Sequence, residues 1–422
     1  MRRQRLRHLP LLYIALTPNA YCCSFLVANF DVKAGHTPFE TVNYYNQKRG
    51  PDATNVFEQQ GWAFVHNLLS MTGTVTKQPF VSSDGSVVAL FNGEIYNYRS
   101  LAKELAGSES AYVSDGYSLL PAYAKWGCPF VQHLEGEFAV VLVDFARGLV
   151  VLSTDVFSTK PLWYALWDDP SGPRESVTRS QSSTGTGKAS SYRFVAASYE
   201  SVLKRLGAPA SSRRMADPNE ALILRLPGHQ PPAGLRVRPD TGDDALDGLE
   251  LIERLPLVRW DLRQHKTHTR DWATAFRAAV ATRTANLKHR VFIGLSSGYD
   301  SGAIMLALKQ QGKPFLAYSV AGTENASVVD GRRAACADVA STVAIHGLEG
   351  ERFEQQRARL QAVCEPFRYW SVEGAHSGER RGRLVTDDNA AVGLSAILSE
   401  SRPTGGLICA WPRAGLNPRP SG

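Results

Sequence analysis

Two apolar runs, one in each half of the chain, predict short buried strands. Residues 87–91 read Val-Val-Ala-Leu-Phe, and residues 290–295 read Arg-Val-Phe-Ile-Gly-Leu. Short apolar runs rich in β-branched and aromatic residues are typical of buried strands. From Trp260 onward, such runs alternate with helical periodicity, which is the pattern of a parallel sheet covered by helices. The hydrophobic pattern therefore predicts an α/β unit in the second half of the chain.

Small polar residues follow the first apolar run. Residues 91–98 read Phe-Asn-Gly-Glu-Ile-Tyr-Asn-Tyr, and we expect Asn92-Gly93 to form a turn before the β-prone Ile95 and Tyr96. An asparagine amide beside a glycine N–H offers two donors that can converge on one oxygen atom, as an oxyanion hole requires. The dipeptide alone equally favours a plain hairpin turn. The octapeptide as a whole is the more specific signal.

A loop of small residues follows the second apolar run. It reads Ser-Ser-Gly-Tyr-Asp-Ser at residues 296–301, and good helix formers come next. A strand, a small-residue loop and a helix N-terminus together predict an anion site, because backbone N–H groups and the helix dipole favour negative charge. An ordinary βα turn would favour the same residues. The lysine of a Walker-type loop is absent, which disfavours that class of nucleotide site. Residues 313–322 predict the next parallel strand.

Composition narrows the classes of protein. A chain of 422 residues, 43% of them hydrophobic, is large enough for two or three domains with their own cores. The net charge is +7, but no basic stripe carries interleaved aromatic residues, so we expect no nucleic-acid binding. The six cysteines and ten histidines show no metal-ligand spacing. No apolar run approaches the ~20 residues of a membrane-spanning helix, so we expect no membrane insertion.

Breaks in the hydrophobic pattern predict the domain boundaries. Residues 168–191 are rich in Ser, Thr, Gly and Pro, which predicts a disordered insertion in a surface loop. Prolines and glycines between residues 226 and 256 are typical of an interdomain linker. We therefore divide the chain into a leader or misassigned start (1–22), a first domain (23–225), a linker (226–256), a partial second domain (257–410) and an irregular tail (411–422).

The octapeptide resembles the glutaminase domain of class II glutamine amidotransferases, in particular that of asparagine synthetases. Other segments that look like this family follow in its order: residues 49–52 (Arg-Gly-Pro-Asp), 78–79, 114–116, 134–139 and 160–164. The second motif resembles the Ser-Gly-Gly-x-Asp-Ser pyrophosphate loop of ATP pyrophosphatases, with Ser297 at the first glycine. The resemblance implies an α+β then α/β chain, in which an N-terminal nucleophile-type αββα glutaminase sandwich precedes an incomplete parallel-sheet ATP-pyrophosphatase domain.

The resemblance also implies a reaction and its residues. Ammonia from glutamine would attack aspartate adenylated by ATP with Mg²⁺, to give asparagine in the cytosol; the metal ligands stay unknown, and the family allows a homodimer. The implied catalytic residues are Cys23 as nucleophile with Asn92 and Gly93 as oxyanion hole. Glutamine would be bound by Asn92, Gly93, Glu94 and Asp115, the last through the α-amino group. ATP would be bound by Leu295, Ser296, Ser297, Gly298, Asp300, Ser301 and Val320.

The position of Cys23 conflicts with this chemistry. Class II enzymes use an N-terminal cysteine, whose α-amine has a pKa near ~7.7–8.0 and can accept the thiol proton. Cys23 follows residues 1–22, and a peptide nitrogen is no base because its lone pair is delocalised. Residues 1–22 carry early arginines and then leucines, as signal or organelle transit peptides do. We favour a misassigned start, because ATP and aspartate are intracellular substrates; Cys22 is the alternative nucleophile.

Two further departures weaken the resemblance. The family places an arginine that clamps the glutamine carboxylate two residues after a histidine, but Leu68 follows His66 here. We therefore expect weak glutamine affinity or the use of free ammonia, unless His66 or Arg49 compensates. Residues 405–410 predict a further strand, without the acidic loop that follows it in the family. Two other hypotheses stay open: a non-catalytic binding or regulatory protein, and a ligase acting on another carboxylate.

Overall fold

The computed structural model describes residues 23–70, 74–168, 192–227, 229, 249–261, 263, 267–285, 287, 291–320 and 324–345. Some sequence predictions fall outside these residues. They are the predictions for the leader, for residues 169–191 of the insertion, for most of the linker, and for residues from 346 onward, including the strand at 405–410 and the tail. None of the helices in the described part is long and apolar enough to cross a membrane.

The N-terminal unit alternates strands with short helices. Its strands are β1 (Ser24–Ala28), β2 (Ala53–Gln59), β3 (Trp62–Leu68), β4 (Phe80–Val81), β5 (Val87–Ile95), β6 (Gly136–Asp144), β7 (Leu149–Thr154), β8 (Trp163–Asp168), β9 (Tyr192–Ala197), β10 (Arg213–Met215), β11 (Glu220–Arg225) and β12 (Glu250–Pro256). Its α-helices are α1 (Phe39–Val42), α2 (Tyr44–Arg49), α3 (Tyr98–Ala106), α4 (Leu119–Trp126) and α5 (Glu200–Arg205). Short 3₁₀ helices lie at Asp115–Ser118, Cys128–His133 and Ala210–Ser212.

These strands form two six-stranded antiparallel sheets. The first has the order β10-β8-β9-β1-β3-β2, and the second has the order β12-β11-β7-β6-β5-β4. β1 pairs with both β3 and β9, so the strand that follows Cys23 lies inside the first sheet. β5, which contains most of the octapeptide, pairs with β6 along its whole length. Hydrogen-bond ladders therefore hold both of the segments that carry the predicted glutaminase chemistry.

Alternating side chains of the two sheets divide the unit into four layers. Phe25 and Val27 of β1 pack with Val88 and Leu90 of β5 in a core between the sheets. The outer face of the first sheet packs against α1 and α5, and the outer face of the second sheet packs against α3 and α4. The layers thus follow the order αββα, and the prediction of an antiparallel α+β unit is confirmed.

The predicted linker contains a strand of this unit. β12 pairs antiparallel with β11, from Pro256 opposite Glu220 to Glu250 opposite Arg225. The fold of the first unit therefore continues past the boundary predicted at residue 225. β12 lies at the edge of its sheet and has charged residues at three of its seven positions, so its composition resembles that of a loop.

The second unit is a small parallel sheet with three helices in its described part. Its elements are α6 (Arg270–Arg283), β13 (Val291–Gly294), α7 (Tyr299–Gln310), β14 (Phe315–Val320), α8 (Ala326–Ala335) and β15 (Ala340–Ile345). β14 lies between β13 and β15 and is parallel to both. Val280 of α6 and Leu308 of α7 pack with β13 and β14 in one core. The prediction of a parallel α/β unit is confirmed, with strands slightly shorter than predicted.

Candidate active site

Asn92 and Gly93 lie inside a strand, so the turn predicted for them is wrong. β5 pairs with β6 without a break, and Gly93 lies opposite Phe138. Gly93 has a φ of 142°, and a Cβ at this position would overlap the carbonyl oxygen of Glu137. The close approach of β6, and not a turn, is therefore the reason that this position requires glycine.

The Gly93 N–H points away from β6. Phe91 and Ile95, two residues to either side, donate their N–H groups to side chains: Phe91 to Gln78 Oε1 at 2.8 Å, and Ile95 to Asp115 Oδ2 at 2.9 Å. Alternate residues of a strand direct their N–H groups to the same edge, so the Gly93 N–H lies on this edge between the two acceptors. β4 pairs only nearer the start of β5, and no other described strand covers this edge at Gly93.

The Asn92 side chain is fully buried on the inner face of the second sheet. It continues the alternation of Val88 and Leu90, which face the core between the sheets. Neither Nδ2 nor Oδ1 of Asn92 has a hydrogen-bond partner among the described residues. A buried polar group without a partner costs about 1–3 kcal/mol, so its presence indicates a partner from solvent or a ligand. Asn92 Nδ2 is a donor that the described protein groups leave available.

Cys23 immediately precedes β1 and alternates with the inward-facing Phe25. The Leu69 N–H donates to Cys23 Sγ at 3.3 Å, and the Leu69 carbonyl oxygen lies 3.5 Å from the same sulfur. Arg49 Nε donates to the Cys23 carbonyl at 3.2 Å, and Arg49 Nη1 donates to the Tyr199 hydroxyl at 3.2 Å. Neighbouring segments thus position both the backbone and the thiol of Cys23, which is partly exposed.

Gln78 joins the two sheets at the end where β1 begins and β5 ends. Its carbonyl accepts from Asn55 Nδ2 of β2 at 2.5 Å, and its Oε1 accepts from the Phe91 N–H of β5. Asn55 lies opposite His66 of β3, which lies opposite Phe25 of β1. The start of β1, where the thiol lies, is therefore level with the end of β5, where the two oxyanion donors lie.

Asp115 lies beside the same stretch of β5. Its Oδ2 accepts from the Ile95 N–H, and its Oδ1 accepts from the Gly116 N–H at 2.9 Å. Desolvation nevertheless raises the pKa of the Asp115 carboxyl above its ordinary value. Glu94, the other acidic residue assigned to glutamine, precedes Ile95 on β5 and is half-buried. The structure thus brings the predicted glutamine-site residues together around β5.

The position of the missing carboxylate clamp is apolar. Leu68 is the last residue of β3 and is buried. The His66 ring is buried on the inner face of the same strand, and its Nε2 has no hydrogen-bond partner among the described residues. Burial lowers the pKa of His66 to about 3, so the ring is neutral at pH 7. A neutral His66 offers no positive charge to the carboxylate of glutamine. The contacts described for Arg49 hold the chain at Cys23 instead.

The predicted anion loop joins β13 to α7. The Leu295 N–H donates to the Tyr318 carbonyl at 2.7 Å, which continues the pairing of β13 with β14. The Ser296 N–H donates to Ser301 Oγ at 3.1 Å, and the Gly298 N–H donates to Ser296 Oγ at 3.1 Å. α7 begins directly after this loop. The predicted loop is therefore present at the carboxyl end of a parallel strand, where open α/β sheets bind ligands.

A carboxylate accepts hydrogen bonds from the loop at Ser297. The Ser297 N–H donates to Glu324 Oε2 at 2.5 Å, and the Ser297 hydroxyl donates to the same oxygen. Arg332 Nη1 donates to the carbonyls of Ser296 and Gly298 at 2.5 and 2.7 Å. The loop thus binds an anionic oxygen through a backbone N–H, which is the chemistry that phosphate recognition uses.

The other two residues assigned to ATP flank the loop. Asp300 is exposed in the first turn of α7, and Val320 is the last residue of β14. Across the described ranges, no three acidic, histidine or cysteine side chains converge to form a metal site. The donor set of the loop therefore fits an anion.

Sequence comparison finds a family match for part of the first unit. Residues 22–178 match the profile of the glutamine amidotransferase domain. This part of the chain is a glutamine amidotransferase domain. The matched residues include Cys23, Asn92, Gly93 and Asp115, whereas the loop at 295–301 lies outside them.

Curated relatives match a short part of the chain. The glutamine-hydrolysing asparagine synthetase 2 of Bacillus subtilis is 35% identical over 117 residues, which are 28% of this chain and 16% of the relative. Amidase chyE of Penicillium rubens is 35% identical over 122 residues, 28% of this chain and 18% of the relative. The glutamine-hydrolysing asparagine synthetase 1 of Saccharomyces cerevisiae is 34% identical over 116 residues, which are 27% of this chain and 20% of the relative. The chain thus spans only 16% to 20% of the length of these relatives.

Sequence analysis missed the roles of residues that support the amidotransferase site. Buried Gln78 holds the end of β5 against the first sheet. Asp155 accepts from the Phe138 N–H at 3.1 Å, opposite Gly93, and burial raises the pKa of this carboxyl. Gln78 lies in a segment that looks like the family, and Asp155 lies five residues before another, at 160–164, which was the available signal. Spacing along the chain could not show which atoms they contact.

Proposed function

We propose that the amidotransferase domain hydrolyses glutamine to glutamate and ammonia. The observation that carries the proposal is the buried Asn92 amide without a described partner, beside the Gly93 N–H and level with the Cys23 thiol. Two such donors stabilise the negative charge that develops on a carbonyl oxygen during acyl transfer. A thiol at the same end of the sandwich supplies the nucleophile.

The proposed hydrolysis proceeds through a thioester. Cys23 Sγ attacks the side-chain amide carbon of glutamine, and the amide oxygen becomes an oxyanion between Asn92 Nδ2 and the Gly93 N–H. The thiol proton passes through the α-amine of Cys23 to the leaving nitrogen, ammonia departs, and water hydrolyses the thioester to glutamate. This base exists only where Cys23 is the first residue, so we propose that such a form is the active one.

Asp115 and Leu68 set the proposed affinity for glutamine. We assign the α-ammonium group to Asp115, because its carboxylate lies at the edge of β5 that carries the Gly93 N–H. Leu68 provides no charge for the α-carboxylate, and a bidentate arginine contact is lost. We therefore expect weak binding of glutamine, and use of free ammonia where it is supplied.

Asn92→Ala, in a chain that begins at Cys23, tests the oxyanion assignment. We expect kcat for glutamine hydrolysis to fall about 10²–10³-fold with little change in KM, because the donor acts on charge that forms in the transition state. Asn29→Ala is the control for loss of a structural amide, since Asn29 follows the opposite end of β1 and its amide bonds to β9. An unchanged kcat in Asn92→Ala would refute the assignment.

We further propose that the second unit activates aspartate with ATP, so that the whole protein makes asparagine. Support comes from the loop that donates an N–H to an anionic oxygen and from the asparagine synthetases among the relatives. Ammonia would displace AMP from the aspartyl adenylate. Mg²⁺ accompanies a triphosphate and is usually held by one or two carboxylates. The described residues offer only Asp300 and Glu324 at the loop, so we assign no step to the metal.

Asparagine formation from aspartate, ATP and ammonia tests this second proposal. Free ammonia bypasses Cys23, so the assay reports on the second unit alone. We expect asparagine and pyrophosphate in equal amounts. Pyrophosphate release that needs aspartate would support adenylation, and a chain that forms neither product would contradict it.

A ligase acting on another carboxylate is the second candidate. The relatives include Amidase chyE of Penicillium rubens and Amidase chry2 of Gibberella zeae, which are named as amidases rather than asparagine synthetases. ATP-dependent amidation of a different carboxylic acid, with no turnover of aspartate, would favour this candidate. Isothermal titration that detects binding of neither glutamine nor ATP–Mg²⁺ would instead favour a non-catalytic protein.

A further inference from the structure

An arginine of the second unit contacts the amidotransferase domain. Arg283 is the last residue of α6, and Val280 of the same helix packs in the core of the second unit. The Arg283 guanidinium holds Glu137 of β6, with Nε at 2.7 Å and Nη2 at 2.5 Å from Oε1. The Glu137 side chain is only 10% exposed, so solvent screens this ion pair weakly. Arg283 lies outside the residues that match the amidotransferase profile.

Glu137 and Arg283 lie beside β5, the strand that carries Asn92 and Gly93. The Glu137 carbonyl is the group that a Cβ at Gly93 would overlap, so the backbone of Glu137 limits how β6 approaches Gly93. Arg283 also lies over the ring of Tyr96, 5.2 Å from its centroid. The Tyr96 N–H donates to the Glu135 carbonyl at 2.7 Å, which extends the pairing beyond β5. One guanidinium thus contacts both strands just beyond Gly93, at Glu137, which lies opposite Glu94, and at Tyr96.

Arg283 is the closer of the two cations described beside the Glu137 carboxylate. Lys160 is the other cation beside it, buried, with Nζ 3.8 Å from Oε2. A cavity of about 170 Å³, lined in part by Gly136, Asp155 and Arg283, lies beside the pair, so packing on that side is incomplete. Removal of Arg283 would leave a nearly buried carboxylate with the longer Lys160 contact as the cation described beside it, a costly arrangement that favours movement of the strand.

We propose that Arg283 is a positioning residue of the glutaminase site, which fixes the place of the Gly93 N–H through Glu137. This inference rests on the proposed hydrolysis of glutamine and adds to it a residue from the second unit. An oxyanion donor is effective because it is held in place before charge develops. The glutaminase site is therefore completed by α6, and it responds to changes in the unit that carries the anion loop.

Hydrogen–deuterium exchange of the full chain tests the positioning role without substrate. Arg283→Met removes the charge and keeps the stem, and Arg277→Met on the exposed side of α6 is the matched control. We expect peptides over residues 91–98 and 136–139 to exchange at least about tenfold faster in Arg283→Met than in the parent. In Arg277→Met the same peptides should exchange at the parent's rate. Peptides over α5 should exchange at the same rate in the parent and in both variants. Unchanged exchange over residues 91–98, or a rise that includes α5, would overturn the proposal.

Kinetics of the form that begins at Cys23, which keeps every described residue, supply the second readout. We expect Arg283→Met to lower kcat for glutamine about tenfold with KM within about twofold, and Arg283→Lys to recover part of the loss. Glu137→Gln should lower kcat as much as Arg283→Met does. The double variant should have the same kcat as either single variant, because all three remove the same contact. Independent, multiplicative losses would overturn the proposal. A parent that releases no glutamate, with the exchange result intact, would refute the proposed function and leave the positioning contact standing.

Discussion

Asn92 and Asn43 are both buried asparagines, but their amides are in opposite situations. Asn43 exchanges two hydrogen bonds with Asn67, at 2.9 and 3.0 Å, whereas neither amide atom of Asn92 has a partner in the described part of the chain. Unsatisfied buried groups lower stability and are retained chiefly where function requires them. The contrast separates an amide that stabilises the fold from one that is available to a substrate.

Replacing each amide by leucine should therefore change stability in opposite directions. We expect Asn92→Leu to raise the free energy of unfolding by about 1–2 kcal/mol. Asn43→Leu should lower it by about 1–3 kcal/mol, because Asn67 loses two of its buried hydrogen bonds and keeps those to Thr54 and Ser24. Urea unfolding with an unchanged m value measures both changes. Asn92→Leu should at the same time abolish measurable glutamine hydrolysis. A loss of stability in both variants would show that the Asn92 amide is satisfied in the folded protein.

His66 predicts a dependence of stability on pH. Burial lowers its pKa from 6.5 to about 3, so between these values the unfolded chain binds a proton that the folded protein does not. Stability present at pH 7 is therefore lost as the pH falls below ~6.5, by about 1.4 kcal/mol per unit, or about 2 kcal/mol at pH 5.

Urea unfolding at pH 7 and pH 5 measures this loss. His66→Asn should reduce the acid sensitivity by about 2 kcal/mol, whereas replacing the exposed His133 by asparagine should leave it unchanged. Equal acid sensitivity in His66→Asn and the parent would show that His66 is not the group responsible.

At the scale of elements, local patterns predicted which segments form strands better than where the strands end. The apolar run at 87–91 predicted a strand, but β5 continues through Asn92-Gly93 because β6 pairs with it throughout. β12 was not predicted from the sequence, because its segment has the composition of a linker and its partner β11 lies about 25 residues earlier in the chain. Pairing with distant strands decided both cases, and local composition does not report such partners.

Gly93 provides a test of this pairing. An alanine Cβ would overlap the Glu137 carbonyl, so Gly93→Ala should cost about 3 kcal/mol or more, through displacement of β5 from β6. Gly107→Ala is the control, because Gly107 also has a positive φ, 78°, but no atom near an added Cβ. It should cost only about 1 kcal/mol, from backbone strain. Equal losses of unfolding free energy in the two variants would contradict the close approach of β6.

Over the whole molecule, the order of motifs predicted two units and the family of the first. The resemblance also supplied the identities of Cys23, Asn92, Gly93 and Asp115, which lie around one end of the sandwich. Sequence could not supply the partner state of Asn92, nor the contact of Arg283 with Glu137, which joins residues 146 positions apart. Such contacts follow from the packing of one element on another, and no local periodicity encodes them.

Glutamate release by a chain that begins at Cys23 tests the central claim most directly. The proposed mechanism predicts hydrolysis of glutamine by this chain, a loss of at least about 10³-fold in its Cys23→Ala variant, and equally slow turnover by the unprocessed chain Met1–Gly422, whose Cys23 has no free amine. Undiminished glutamate release in Cys23→Ala, or none from the chain that begins at Cys23, would contradict it.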